Sequence, residues 1–316
     1  MKEEKCLKEG NDWVEKGDYP KALDCYEKWL DTYGATNLDK LTSETMLANA
    51  KKVLQENPAN EKAWLFKGIA LSRLGNNQEA TTCHDKAIEL KSDYADAYNY
   101  KGNALFGSGK FEEAITFYDQ AIALMPDYAF AYFNKGNALC NLGKLEEAIM
   151  CYDQAIALKP DYLNTYLNKG TVLHNLGNHQ KAITYYDQAI AINPDNAFVY
   201  YNKGTVLSNM GLYFKAITCF DQTIALKPDY ADAYGNKGYA LYNLDKYQES
   251  IACYDQAIEL RPDDAGAYLN KGNSLSALGN HQEAITCYDK VIELRPDDEN
   301  AHYNRKIVLQ KLKERK

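Results

Sequence analysis

Asparagine recurs at two fixed places along this 316-residue chain, and its amide is the group best suited here to recognition chemistry. One place holds Asn134, Asn168, Asn202, Asn236 and Asn270. The other, three residues further along, holds Asn103, Asn137 and Asn273. Asparagine is a poor helix former, so helix propensity does not account for the recurrence. Because an amide both donates and accepts hydrogen bonds, such rows predict binding to the main chain of an extended polypeptide. The alternative is that the asparagines bond to one another and only stiffen the fold.

Large apolar residues accompany the amides at neighbouring positions. They are Phe130, Phe133, Leu167, Phe198 and Tyr201. If these side chains are exposed together, they form an apolar patch of the kind that marks an interaction site. The alternative is that they pack on neighbouring repeats.

No pattern of catalytic residues is present. The sequence lacks a phosphate-binding GxxxxGK[ST] loop, a GxSxG nucleophile turn, an HExxH motif and a GxGxxG fingerprint. The five histidines are scattered, and no CxxC or His–Cys cluster has metal-ligand spacing. We therefore predict that the protein is not an enzyme and has no cofactor and no metal site.

The charge balance disfavours nucleic acid as a partner. The net charge is −8, and the basic residues near the C-terminus, Lys311, Lys313, Arg315 and Lys316, are interpreted as a solvated helix end. The first residues are charged and no long apolar run follows, so we expect neither a signal peptide nor membrane insertion. We expect a cytoplasmic protein.

A Lys-Gly pair returns every 34 residues and sets the organisation of the chain. It stands at Lys67-Gly68 and then at 101–102, 135–136, 169–170, 203–204, 237–238 and 271–272. A fixed period of this length predicts a repeat architecture. In the unit 129–162, apolar residues at steps of three and four predict two helices, separated at Gly143 and ended before Pro160. Gly136 and Ala148 are small enough to let the two helices cross closely.

The repeat divides the chain into three parts. Residues 61–298 form seven units, and residues 299–316 are predicted to be a capping helix. Residues 1–60 fit the period poorly and predict a variant helical pair, 3–16 and 19–33, then a breaker-rich link at 34–37. A third helix, capped by Thr42 or Ser43, is predicted to run to Glu56, so one of the three is an adapter or a cap. We expect one continuous solenoid.

Several columns of the aligned units are predicted to be structural. One leucine column and one isoleucine column are assigned to the core; they contain Leu71, Leu105, Leu139, Leu173, Leu207, Leu241 and Leu275, and Ile88, Ile122, Ile156, Ile190, Ile224, Ile258 and Ile292. Five of the eight cysteines share a column with Phe117 and Tyr185, which indicates buried thiols and not disulfides. Each unit also has an aspartate eighteen residues after its lysine. We expect a recurring Lys–Asp contact, within a unit or between neighbours; the alternative is two independent solvated columns.

These features resemble the tetratricopeptide repeat, whose signature of aromatic, Leu-Gly, Ala, aromatic, Ala and Pro runs through residues 61–298. Lysine replaces the usual leucine before the glycine, and Asp245, Ser250 and Ser92 replace a glycine, an alanine and a proline. The resemblance implies an all-α fold, a right-handed superhelical solenoid of antiparallel helix pairs.

The resemblance also implies which face binds. In this family the face of the first helix that carries the asparagines lines a concave groove, and the asparagine rows resemble the groove of the O-linked N-acetylglucosamine transferases, which hold extended peptides by their main chain. Tetratricopeptide domains that grip the acidic C-termini of chaperones need groove lysines. Here one lysine place holds Leu65, Asn99, Phe133, Leu167, Tyr201, Gly235 and Leu269, and the other holds Asp96, Phe130 and Asn164, so that clamp is excluded.

The sequence therefore predicts a non-catalytic scaffold for protein binding, with a segment of a partner protein held in the groove. Two alternatives stay open. One is a structural or self-associating protein, and the other is a regulatory subunit of a separate enzyme chain.

Overall fold

The computed structural model describes residues 8–10, 12–14, 16–33 and 38–314, and these ranges contain helices and no strand. Residues 8–10 and 12–14 are helical, and seventeen further helices follow. They are α1 Tyr19–Tyr33, α2 Lys40–Glu56, α3 Glu61–Arg73, α4 Asn77–Leu90, α5 Ala95–Gly107, α6 Phe111–Leu124, α7 Ala129–Asn141, α8 Leu145–Leu158, α9 Leu163–Asn175, α10 His179–Ile192, α11 Ala197–Asn209, α12 Tyr213–Leu226, α13 Ala231–Tyr242, α14 Tyr247–Leu260, α15 Ala265–Ala277, α16 His281–Leu294 and α17 Glu299–Glu314. The all-α prediction is confirmed.

The chain divides into two compact units, each of which contains several of the 34-residue repeats. The first unit is residues 1–165 and the second unit is residues 166–316. Within each unit, consecutive helices pack on each other. From α3 onward the helices come in pairs, and each pair corresponds to one 34-residue repeat. None of the described helices is both long and apolar enough to be a candidate membrane span.

The N-terminal helices follow the prediction with one correction. The predicted helix over 19–33 is confirmed, and the described part of 3–16 is helical at 8–10 and 12–14. The link at 34–37 lies outside the described residues. The predicted cap of the third helix is wrong, because α2 begins at Lys40 and the Asp39 carboxylate accepts the Thr42 amide proton at 2.6 Å. At the other end of the chain, Arg315 and Lys316 lie outside the described residues.

The second helix of each regular pair ends in one conformation. Lys159, which precedes Pro160, has φ −137° and ψ 82°, the extended backbone that a following proline imposes. Lys91 precedes Ser92 and yet has φ −141° and ψ 95°. The serine therefore leaves this helix end unchanged.

A glycine on each first helix receives a ring from the second helix. A Cβ added at Gly136 would lie 2.6 Å from the Tyr152 ring, and one at Gly102 would lie 2.5 Å from the Tyr118 ring. Tyr152 is only 1 % exposed. The Tyr152 ring therefore lies directly on the glycine. Ala148 is fully buried, as expected for a close crossing.

The two apolar columns differ in burial. The leucines are 2–5 % exposed, so their assignment to the core is confirmed. The isoleucines are half-buried, and Ile88, Ile258 and Ile292 pack against the buried core residues. The column cysteines, such as Cys151 and Cys219, are buried free thiols whose pKa is raised by that burial.

The departures in the sixth repeat are accommodated locally. Gly143 has φ +73° at the turn of its pair, and Asp245 adopts φ +57° at the equivalent turn. In both turns the amide of the next residue, Lys144 or Lys246, donates to the carbonyl oxygen of the residue five positions before it. The Asp245 carboxylate also accepts the Tyr247 hydroxyl proton at 2.5 Å. Ser250 is fully buried, and its hydroxyl lies 2.9 Å from the Gly238 carbonyl oxygen.

Five of the lysines that precede a glycine pair with an aspartate of the preceding repeat. Lys135 Nζ lies 2.6 Å from Asp119, and Lys203 Nζ lies 2.5 Å from Asp187. The same pairing occurs at Lys101–Asp85, Lys237–Asp221, Lys271–Asp255 and Arg305–Asp289. The predicted contact is confirmed, and it lies between neighbouring repeats. Burial opposes the charge of Lys135, but its hydrogen bond to Asp119 raises the lysine pKa.

Two glycines of α13 offer a matched test of the packing. A Cβ added at Gly235 meets nothing within 4 Å, whereas one at Gly238 lies 2.9 Å from the Tyr254 ring. We expect Gly235→Ala to raise the free energy of unfolding by about 0.5–1 kcal/mol, because alanine is the better helix former. Gly238→Ala should lower it by about 1–3 kcal/mol through overpacking. Urea denaturation measures both, and equal effects of the same sign would contradict the glycine–ring contact.

Candidate functional site

The predicted recognition residues all lie on the first helices of the pairs. In the first unit they are Asn103 on α5 and Phe130, Phe133, Asn134 and Asn137 on α7. In the second unit they are Leu167 and Asn168 on α9, Phe198, Tyr201 and Asn202 on α11, Asn236 on α13, and Asn270 and Asn273 on α15.

One cleft in the first unit brings four of these residues together. We call it the amide cleft; its volume is about 330 Å³. It is lined by Ile69, Ser72, Arg73, Asn77, His84, Tyr100, Asn103, Phe106, Gly107, Phe133, Asn134 and Asn137. Its walls thus combine aromatic rings with side-chain amides.

The amides of this cleft are fixed at one end by their own protein. The Tyr118 hydroxyl donates to Asn103 Oδ1 at 2.9 Å, and Asn134 Nδ2 donates to Asn99 Oδ1 at 3.0 Å. Within the described ranges, no partner binds the Asn103 amino group or the Asn134 carbonyl oxygen. Each of these two amides is therefore held in place and still has a donor or an acceptor to offer.

Phe130 lines a second cleft of about 280 Å³ in the same unit, together with Asp96, Tyr128 and Lys159. The Tyr128 hydroxyl donates to Asp96 Oδ1 at 2.5 Å, and Lys159 Nζ lies 4.4 Å from the centre of the Phe130 ring. Burial raises the pKa of Asp96, and the Tyr128 hydrogen bond opposes that rise. This cleft joins an acidic group to an aromatic wall.

The predicted exposed apolar patch is only partly present. Phe133 is 6 % exposed, because Tyr162 covers it at a ring separation of 4.8 Å, and the expectation that Phe133 is exposed is therefore wrong. Phe130 is half-buried against the same tyrosine at 5.0 Å. Leu167 is half-buried, whereas Phe198 is 49 % exposed.

In the second unit the asparagines bond in several ways. Asn202 Nδ2 donates to the Phe198 carbonyl oxygen at 2.9 Å, and Asn236 Nδ2 donates to the Tyr201 hydroxyl at 3.1 Å. The Asn270 side chain is half-buried and has no hydrogen-bond partner among the described residues.

Amide–amide bonds, the stiffening alternative, occur as well. Asn273 Oδ1 accepts from the Asn304 amide and from the Tyr288 hydroxyl, each at 3.0 Å. Such bonds hold one end of an amide and leave the Asn273 amino group without a partner among the described residues. Stiffening and recognition are therefore compatible in one side chain.

Family models match the repeats along most of the chain. Models described as TPR repeat match residues 102–143 and 136–177. Models described as tetratricopeptide repeat match residues 61–94, 164–196, 201–265 and 236–299. The chain belongs to the tetratricopeptide-repeat family. No curated protein sequence matches it significantly.

Solved tetratricopeptide structures resemble this chain. YrrB, described as a TPR protein with an unusual peptide-binding site, is 27 % identical, with 58 % of this chain and 95 % of YrrB covered and a TM-score of 0.51. The C-terminal part of a TPR repeat-containing protein from Cytophaga hutchinsonii is 20 % identical, with 75 % and 97 % covered and a TM-score of 0.64. A structure of the APC/C hetero-tetramer Cut9–Hcn1 is 16 % identical, with 96 % and 75 % covered and a TM-score of 0.59. The last two likenesses concern the fold alone.

One tetratricopeptide position was missed by sequence reasoning. His84 occupies the place of the ring that lies on the glycine, and a Cβ added at Gly68 would lie 2.4 Å from it. His84 is fully buried, it lines the amide cleft, and neither ring nitrogen has a hydrogen-bond partner in the described structure. Ile69 stands where Asn103 stands in the next repeat, so the usual amide partner is missing. In the sequence, a histidine at 84 in place of an aromatic residue, together with Ile69 in place of an amide, indicates this difference.

His84 should make stability fall with acid. Burial lowers its pKa to about 3, while the unfolded chain binds a proton near pH 6.5. Between these values the unfolded state holds more protons, so the free energy of unfolding falls as pH falls, by about 1.4 kcal/mol per pH unit from this residue. We expect His84→Phe to remove that component in urea denaturation at a series of pH values.

The matched control is His302→Gln, because His302 is exposed on α17. This substitution should leave the pH dependence of wild type unchanged. If His84→Phe and wild type show parallel pH dependence, a buried neutral imidazole is ruled out.

Proposed function

We propose that this tetratricopeptide chain is a non-catalytic scaffold that binds an extended segment of a partner protein on its first helices. The observation that carries the proposal is the amide cleft. There the Asn103 and Asn134 amides are each hydrogen-bonded at one end only and lie in the same cleft as the rings of Tyr100 and Phe133. Tetratricopeptide repeats build protein-interaction scaffolds, and the likeness to YrrB, whose description includes a peptide-binding site, supports a peptide ligand here.

The chemistry of the cleft fits a main chain with one inserted side chain. An extended strand offers an N–H and a C=O at each residue, which match the Asn134 oxygen and the Asn103 amino group. Successive repeats rise by about 10 Å, which matches about three residues of an extended strand. The aromatic walls would hold an apolar side chain between these contacts. The similarity to the asparagine rows of the O-linked N-acetylglucosamine transferases stays a prediction from the residues.

We propose further that the protein is cytoplasmic and does not bind nucleic acid. A net charge of −8 disfavours nucleic acid, and buried free thiols such as Cys151 and Cys219 fit the reducing cytoplasm. A partner protein is then the ligand class, with no reaction performed by this chain.

The test uses peptides selected from a random linear library against the wild-type chain. Two hydrogen bonds of ordinary strength contribute about 1–3 kcal/mol together, so the double variant Asn103→Ala, Asn134→Ala should weaken binding by about 5-fold to 150-fold. Fluorescence anisotropy with a labelled peptide measures the affinity. Asn280→Ala is the matched control, since Asn280 is exposed and makes no capping bond. Failure to select any peptide, or equal affinities for all three proteins, would overturn the proposal.

Self-association is a second candidate because of one exposed apolar turn. Leu212 directly precedes α12 and Phe214 lies in its first turn; they are 39 % and 69 % exposed. The other regular repeats carry lysine or asparagine at the first place and glutamate or glutamine at the second. An exposed apolar pair of this kind favours contact with another surface. Light scattering distinguishes the two: a concentration-dependent oligomer that Phe214→Glu abolishes supports self-association, and a monomer at all concentrations opposes it.

A further inference from the structure

In two of the tetratricopeptide pairs, the turn brings two aromatic side chains into contact. One lies three residues before the positive-φ residue of the turn, and the other lies two residues after it. In α5–α6 these are Phe106 and Phe111, whose ring centres are 5.3 Å apart, and in α13–α14 they are Tyr242 and Tyr247, at 5.4 Å. Two rings at these places therefore lie in contact across the turn.

In α9–α10 both rings are imidazoles. The ring centres of His174 and His179 are 4.9 Å apart, and their Nδ1 atoms face each other at 3.0 Å. Nitrogen ligands lie about 2.0–2.1 Å from Zn²⁺, so two of them at a tetrahedral angle are about 3.3 Å apart. The pair is within a few tenths of an ångström of that separation without any change of backbone.

The second nitrogen of His174 has a partner that can orient the ring. Its Nε2 lies 3.3 Å from the Asn209 amide nitrogen. When His174 Nδ1 carries a metal, its proton is on Nε2, and the Asn209 amide turned over would present its oxygen as the acceptor. Metal-bound histidines usually donate this second N–H to such an oxygen.

We propose that His174 and His179 form a two-ligand site for a transition-metal ion of the Zn²⁺, Ni²⁺ and Cu²⁺ class, which imidazole suits. The described residues include no group of three or more histidine, cysteine, aspartate or glutamate side chains that could hold a metal ion. The remaining positions on the ion are therefore open to water. The proposal departs from the expectation of scattered histidines with no metal site, because the turn joins two residues that are five apart in sequence.

The experiment titrates Cu²⁺ into the full chain after removal of any affinity tag. We expect one saturable site, with an electron paramagnetic resonance spectrum that shows splitting from two imidazole nitrogens. His174→Phe and His179→Phe should each weaken binding by at least about 10-fold and leave at most one nitrogen coupling. Phenylalanine is chosen because α5–α6 already has it at both places, and far-ultraviolet circular dichroism checks that each variant is folded.

His302→Gln removes one exposed histidine from α17 and should leave both the affinity and the spectrum unchanged. Asn209→Ala should weaken the site and keep both nitrogen couplings, which separates orientation of the ligand from ligation. Wild type without a saturable site, or folded His174 and His179 variants that bind as wild type does, would overturn the proposal.

Discussion

The contact between a first-helix glycine and a second-helix ring is the constraint on which each unit depends. At Gly136 even one added carbon would come within 2.6 Å of the Tyr152 ring, so the two backbones must approach at this point and cannot slide. Interiors packed at this density respond to a single methyl group. Lys135, beside the glycine, pairs with Asp119 of the preceding repeat. Two adjacent residues thus contact both the second helix of their own repeat and the neighbouring repeat.

The same ring connects packing to recognition. Tyr152 lies with its ring on Gly136, and its hydroxyl donates to Asn137 Oδ1 at 2.8 Å; Tyr118 does the same for Asn103. The buried hydroxyl thereby bonds to a side chain of the proposed recognition residues. An amide oriented from inside loses little further freedom when it binds a ligand, which favours affinity. Tyr152 thus contributes to the packing through its ring and to the proposed recognition site through its hydroxyl.

Much of this could be predicted from periodicity, and what could not depends on three-dimensional neighbours. The 34-residue period located the helix pairs, and the glycines and leucines predicted the core correctly. The burial of Phe133 depends on Tyr162, which belongs to the following link. His174 and His179 do not share one helix face, so no single-helix pattern joins them. The unbonded ring of His84 follows from a change at Ile69, which matters only when both positions are compared with the other repeats.

A double-mutant cycle on Gly136 and Tyr152 tests the central contact most directly, with the free energy of unfolding measured for wild type, Gly136→Ala, Tyr152→Ala and the double variant. If the ring lies on the glycine, the added methyl group destabilises wild type by about 1–3 kcal/mol but costs little once the ring is removed. We therefore predict a coupling energy of at least about 1 kcal/mol. Additive effects of the two substitutions would contradict it.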